Sequence, residues 1–249
     1  MRVAAIDTGQ RSRAEPWPMF EYVTERGVRR SVELDEARAV RFETALLARE
    51  IPSRPKQTHT PGSYFFQTTS SLIKYESYLE SKWLTLLDFD PDVVAISSQP
   101  MRIIGPVGDD WLDHVPDFYC RLADGRGCIV DVKHPDRIDD ERVVKQRELT
   151  QMVCTKLGVE YRYLSFIPEQ RWVNVSWLAG FRRTPLCGSE NIDRLLSVAA
   201  NPVRLVDLCA FGEHPLLVRP IVFHLCWKQQ LGFNLDVPLR DDTLISIRK

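Results

Sequence analysis

Three residues suited to reactions at phosphate stand close together in VPDFYCRLADGRGCIVDVKHP, residues 115–135: Asp117, Asp131 and Lys133. Asp124-Gly125 between two apolar runs is a β-hairpin signal, and the loop type decides where the acids go. A two-residue turn at Asp124-Gly125 would set Asp117 against Val132 and send the acids to opposite faces. A three-residue loop, residues 123–125 with Gly125 left-handed in a bulge, sets Leu122 against Arg126 and Asp117 against Asp131. Apolar alternation selects the second register, which gathers Phe118, Cys120, Leu122, Cys128, Val130 and Val132 on one face and leaves Asp117, Asp131 and Lys133 on the other. Like charges facing each other across strands are destabilising, and a divalent cation held between two carboxylates removes the conflict. Oxygen-only donors favour magnesium, with manganese as a substitute, over zinc. A lysine beside such an ion orients a water and stabilises charge developing on a phosphate. The predicted chemistry is metal-assisted phosphodiester hydrolysis.

The flanking elements must position these groups. Residues 70–91 carry Leu72, Tyr75, Leu79, Trp83 and Leu86 at steps of three and four, which predicts an amphipathic helix with Glu76 and Glu80 one turn apart on one face. Residues 93–105 read as a strand interrupted near Pro100. Residues 139–158 read as a helix that starts on acids and ends at Gly158, followed by a strand over 159–166. Helix, strand, strand, strand, helix, strand makes an α/β core. Arg142, Lys145 and Arg147 on the second helix could meet phosphates, although charged helix faces are commonly only solvated; Arg182-Arg183 would fall in a linker. His114 and His134, at the hairpin ends, read as incidental.

Upstream, residues 31–50 are rich in helix formers and predict another helix, and residues 51–63, with three prolines and a glycine, predict a loop. Phe20, Tyr22, Leu46, Leu47, Tyr64, Phe65 and Phe66 give residues 1–69 apolar groups with which to pack on the core. Downstream, Asn201-Pro202 predicts a capped short helix through 209, a longer helix covers 216–230, and FNLDVPL and TLISIRK bracket a terminal hairpin at residues 240–242. Helices followed by a hairpin suggest a winged-helix-like α+β module over 181–249, after a core over 70–180.

The chain of 249 residues, 44% hydrophobic and 27% charged, fits one or two globular domains. Six cysteines without a C-x-x-C pair read as reduced, buried thiols in the cytoplasm. The five histidines lack zinc spacing. No apolar run is long enough to span a membrane, and the N-terminus lacks the layout of a signal peptide. The formal net charge of −1 is low for a chain that grips DNA unaided.

The order glutamate, Pro-Asp, Asp-x-Lys on helix, strand and strand is similar to the PD-(D/E)XK nuclease superfamily and its restriction-endonuclease-like core, a mixed sheet flanked by helices. Within it, ESYLESKWLTLLDFDPDVVAISSQP, VPDF, IVDVKHP and the Asp-Asp-Glu-Arg opening at Asp139 resemble the TnsA family over about residues 70–166. That family is the endonuclease subunit of heteromeric cut-and-paste transposases. The resemblance implies Glu80 of Ser77-Tyr78-Leu79-Glu80 as helix carboxylate with Glu76 as rival, Asp117 and Asp131 as the other metal ligands, and Lys133 as catalytic lysine. Some members carry glutamine where Asp131 stands. Gln99 fits the family's Gln-Pro, with no chemistry evident beyond a structural hydrogen bond. Implied as well are hydrolysis at the 5′ side of transposon ends, DNA as substrate, a DDE-type transposase as partner that supplies much of the DNA grip, and a regulatory ATPase. A stand-alone restriction or repair nuclease would use the same site, and a non-catalytic assembly subunit would keep only the fold.

Overall fold

The computed structural model describes residues 17–49, 61–183, 189–211 and 215–248. In chain order the elements begin with β1 (Met19–Val23), β2 (Arg29–Val32), the single turn α1 (Leu34–Ala37) and a 3-10 turn at Phe42–Thr44. Then come β3 (Gly62–Phe66), β4 (Ser71–Tyr75), α2 (Tyr78–Phe89), β5 (Val93–Ser98), β6 (Met101–Val107) and β7 (Asp110–His114). The hairpin strands β8 (Phe118–Leu122) and β9 (Gly127–Val132) precede α3 (Glu141–Leu157), β10 (Glu160–Leu164) and α4 (Glu169–Ala179). The tail holds α5 (Ser189–Val198), β11 (Val203–Arg204), α6 (Leu205–Cys209), α7 (Pro215–Trp227), β12 (Leu231–Gly232) and β13 (Leu244–Ile247). The architecture is mixed α/β with several sheets.

The central sheet runs β10-β9-β8-β5, with β10 parallel to β9 and the other pairs antiparallel. Its hairpin takes the three-residue loop: Phe118 faces Val130 and Cys120 faces Cys128, and Leu122 N–H donates to Arg126 O at 2.9 Å. Gly125 sits at φ +88°, the left-handed bulge position. One face, with Phe118, Cys120, Leu122, Cys128, Val130 and Val132, packs on Leu84 and Leu87 of α2. Tyr119 and Ile129 on the opposite face meet Phe20, Phe42, Met101 and Ile103, together with Leu149, Val153 and Leu157 of α3. Every residue of β9 is therefore buried.

Residues 17–49 do pack on the core: β1 pairs with β6 inside a second sheet, β2-β1-β6-β7, and Phe20 and Phe42 are buried. The expected helix over 31–50 is not formed; only α1 and the 3-10 turn are helical, and residue 50 lies outside the described residues. Tertiary pairing overrides helix propensity here, since Leu46 N–H donates to Val23 O and Ala48 N–H to Gln99 O. Positions 51–60 of the expected loop and Cys187 also lie outside the description. The other five cysteines are buried and free.

The helix expected over 70–91 starts only at Tyr78. Leu72 and Tyr75 belong to β4, which pairs with β3, so they point to opposite faces of a strand and their spacing of three only coincided with a helical step; Leu72 is exposed and Ile73 buried. Asp88 of α2 ties this hairpin down by accepting from Gln67 N–H and Thr68 N–H, both at 3.0 Å. The strand break near Pro100 and the helix end at Gly158, φ +80°, are as expected.

In the tail, Val203–Arg204 is strand and the short helix begins at Leu205; the longer helix ends at Trp227, near the left-handed Gln229. β13 pairs with Leu231–Gly232 rather than with FNLDVPL, because the intervening segment bends over Asn174, whose amide donates to Leu235 O and Val237 O at 2.8 Å. The three strands lie in the order β11-β13-β12. Their core includes Val175 and Leu178 of α4 and touches Leu86 and Phe89 of α2, so tail and central sheet meet across these helices.

Two stability outcomes follow. A Cβ at Gly125 would meet nothing within 4 Å, so Gly125→Ala should cost about 1 kcal/mol through backbone conformation alone, and Gly125→Asn less, read as urea midpoints at unchanged slope. Glu43 accepts from Arg121 at 2.8 Å and clamps the 3-10 turn to β8. Burial opposes its ionisation, but the Arg121 hydrogen bond and charge prevail and hold the carboxyl below its ordinary 4.5. Because the folded value is the depressed one, this stabilisation is present above 4.5 and lost as pH falls through the folded value. Glu43→Gln should therefore be less stable than the parent at neutral pH, with the gap closing in acid.

Candidate active site

The bulged loop has a direct chemical consequence: Asp117, just before β8, and Asp131, near the end of β9, come together. Asp117 N–H approaches Asp131 Oδ1 at 3.4 Å, and Val132 N–H donates to Asp117 Oδ2 at 2.7 Å. Lys133 follows β9, anchored by its N–H to Leu164 O at 2.9 Å. Behind Asp117 stands Gln99, buried and left-handed at φ +44°, whose N–H donates to Asp117 O at 2.9 Å. Its structural role is thus a backbone one.

Glu80 enters through helix capping. Ser77 is the N-cap of α2 and accepts from Glu80 N–H at 3.2 Å, while the Glu80 carboxylate accepts from Ser77 Oγ at 2.7 Å and Glu76 N–H at 2.8 Å. This is a variant of the capping box. It corrects the expected shared face of Glu76 and Glu80, because Glu76 precedes the N-cap and lies outside the helix. Glu76 instead pairs with Arg49 at 2.9 Å.

Glu76, Glu80, Asp117, Asp131 and Lys133 all line one cleft of about 740 Å³, with Arg49, Lys82, Arg137 and Arg147 among its cations. Of the three expected phosphate contacts, only Arg147 reaches it, 5.3 Å from the Tyr163 ring. Lys145 is paired with Asp110 of β7, and Arg142 is exposed outside the lining. Arg182, in the segment that follows α4, places its side chain on Ala179 O and the Tyr64 ring.

The two aspartates have different environments. Burial works against ionised Asp131, but His114 Nε2 at 2.9 Å from both oxygens, together with Tyr161 O–H at 2.7 Å, outweighs it and keeps the carboxyl below the usual range. Asp117 is pushed well above that range by burial first, then by the charges of Asp131 and Glu80; Val132 N–H and Lys133 oppose this only in part. His114 is therefore no incidental residue. It is backed on Nδ1 by the Gln146 amide of α3. Neither partner was visible in the sequence, since β7 and α3 reach Asp131 only through tertiary folding. Tyr161 and Tyr163 could have been suspected from their alternation on β10, whose parallel register puts Tyr163 beside Asp131. Glu76 Oε1, Tyr163 OH and Ser165 Oγ, all in residues lining the cleft, are buried without a hydrogen-bond partner.

Among the described residues, no three His, Cys, Asp or Glu side chains form a ready metal-binding group. The oxygens of Asp131 are taken by His114 and Tyr161, and those of Glu80 by its helix start. The fit to a hard divalent cation is one of donor type and charge: three carboxylates without a thiol, and in Asp117 an acid raised by burial first and then by the negative charges of Asp131 and Glu80. No protein-family model matches the chain, and no curated protein matches it in sequence.

Ser77→Ala should cost about 1 kcal/mol in unfolding free energy through loss of the cap. It should also remove one of the donors to Glu80, and a Ser77→Thr chain, whose hydroxyl can both accept from Glu80 N–H and donate to its carboxylate, should recover the stability.

Proposed function

We propose that the chain is a magnesium-dependent DNA endonuclease, the TnsA-like subunit of a heteromeric transposase, hydrolysing the 5′ side of transposon ends. The observation that carries this reading is the bulged hairpin register, which joins Asp117 and Asp131 with Lys133 and the capped Glu80 in one cleft. Glu80, Asp117 and Asp131 would hold magnesium, or manganese in its place, which supplies Lewis acidity toward a phosphate oxygen and lowers the pKa of a bound water. Lys133 makes no salt bridge among the described residues, leaving its ammonium to orient the attacking water and to meet charge developing on the phosphate. Arg147 is positioned for a flanking phosphate. His114 and Tyr161 hold Asp131 in its rotamer. In-line attack leaves a 5′-phosphate and a 3′-hydroxyl.

The mixed sheet with α2 before it and α3 within it supports a restriction-endonuclease-like core. The run α5-β11-α6-α7-β12-β13, with β13 between the other two strands, supports a winged-helix-like tail. That tail would meet the DDE-type transposase, a regulatory ATPase or DNA. No helix among the described residues is long and apolar enough to cross a membrane, and five free buried cysteines suit a reducing cytoplasm. One observation favours a second reading, a non-catalytic assembly subunit: His114 and Tyr161 already satisfy Asp131.

The test is purified chain with magnesium and DNA bearing transposon ends, with and without the co-encoded transposase. Cutting that needs the partner, stops with EDTA, disappears in Asp117→Ala and falls by about a hundredfold or more in Lys133→Ala is the expected result. Cutting by the chain alone indicates a stand-alone nuclease. Complex assembly with no cutting in any mixture would establish the non-catalytic reading.

A further inference from the structure

We propose that the cleft receives its DNA with at least one nucleotide unpaired, the freed base stacking on the rings of Tyr78 and Phe166. This rests on the endonuclease reading and names the form of its substrate. Phe166 is 71% exposed and Tyr78 is 65% exposed, yet both line the cleft that holds Asp117 and Asp131. Tyr78 is the first residue of α2, beside the Ser77 cap that orients Glu80, and Phe166 lies just beyond the end of β10. Large rings left in water at a charged cleft forgo burial that the core offers elsewhere, and a nucleobase face is a partner they would find only during function.

The neighbouring charges suit the nucleotide's other half. Lys82 Nζ lies 4.9 Å from the Tyr78 ring centre and Arg147 5.3 Å from that of Tyr163, so cations for phosphates stand beside aromatic surfaces for bases. An intact duplex keeps its base faces inside the stack, where side-chain rings at a cleft rim cannot reach them; a base outside the stack presents both.

The experiment uses an Asp117→Asn chain, so that DNA stays intact, at low ionic strength. Anisotropy would compare a labelled blunt duplex with the same duplex carrying a short unpaired stretch that contains 2-aminopurine. The expected result is about tenfold tighter binding of the second DNA, with the fluorescence of the base quenched. Adding Phe166→Ala and Tyr78→Ala, exposed positions whose change should leave the circular dichroism intact, should bring the preference down to about twofold or less without weakening duplex binding. Equal affinity for the two DNAs, or a preference that survives removal of the rings, overturns the proposal and leaves the endonuclease reading standing. Absence of binding to either DNA, with the co-encoded transposase present as well as without it, overturns both. Loss of transposase association in the ring-deleted chain, with DNA preference unchanged, would assign the rings to a protein partner and overturn the proposal as well.

Discussion

Two carboxylates facing each other across an antiparallel pair, in a sheet covered on both faces, create the electrostatic problem around which the rest of this molecule is arranged. Like charges at this spacing repel, and burial strengthens the repulsion while removing the water that would relieve it. The chain divides the load unevenly. Asp131 receives His114 from β7 and Tyr161 from β10, whereas Asp117 receives one backbone N–H and the more distant help of Lys133. Every element around the cleft contributes to this division: α2 brings Glu80, α3 brings Gln146 to the back of His114, and the strand break at Gln99 holds the Asp117 carbonyl. Gly125, at the far end of the hairpin, sets the register on which all these contacts depend.

The parts of this arrangement that were legible in the sequence are those governed by local rules. The bulged loop followed from period-two alternation around Asp124-Gly125, because only one register puts six apolar side chains on one face. The end of α3 followed from a glycine after an apolar turn, whereas the helix start that Ser77 and Glu80 mark was passed over in favour of one at residue 70. What misled was a coincidence of periods. Leu72 and Tyr75 lie three apart, then Leu79 and Trp83 follow at fours, so strand β4 read as the first turns of α2 until pairing with β3 separated them. Residues 31–50 failed for another reason, as good helix formers were drawn into irregular structure by backbone bonds to β1 and to Gln99. His114 and Gln146 carried no signal because their meaning lies in contacts made 17 and 15 residues to either side of Asp131 and closed only by the fold.

Net charge was equally uninformative about the cleft. The formal value of −1 averages over ion pairs that neutralise each other locally, such as Arg102 with Asp113 and Arg162 with Asp90. Surface pairs of this sort contribute little stability, but they remove cations from the pool available to an anionic ligand. Lys145, expected to meet phosphate, is spent in this way on Asp110. Arg147 is held over an aromatic ring rather than by a carboxylate, and Lys133 makes no salt bridge among the described residues. Within a nearly neutral molecule the cleft thus keeps Lys133 and Arg147 beside its carboxylates, and local fields of that kind govern the approach of a charged ligand.

The unequal treatment of the two aspartates also bears on which one a neutral residue could replace. Under the proposed TnsA-like reading, the position of Asp131 is one where glutamine also occurs. The contacts here give a physical reason: Tyr161 donates an O–H and His114 presents a ring nitrogen, and a side-chain amide oxygen can accept such bonds without a negative charge. Removing that charge would also relieve the repulsion that raises Asp117. Asp117 has no comparable substitute, because an amide there, even with its oxygen turned to Val132 N–H, surrenders the charge that attracts a cation. The hairpin therefore fixes two positions of different kinds, one whose contacts are met by hydrogen bonding and one whose charge is left without a close partner, and under the proposed endonuclease reading the second is the one the reaction cannot lose.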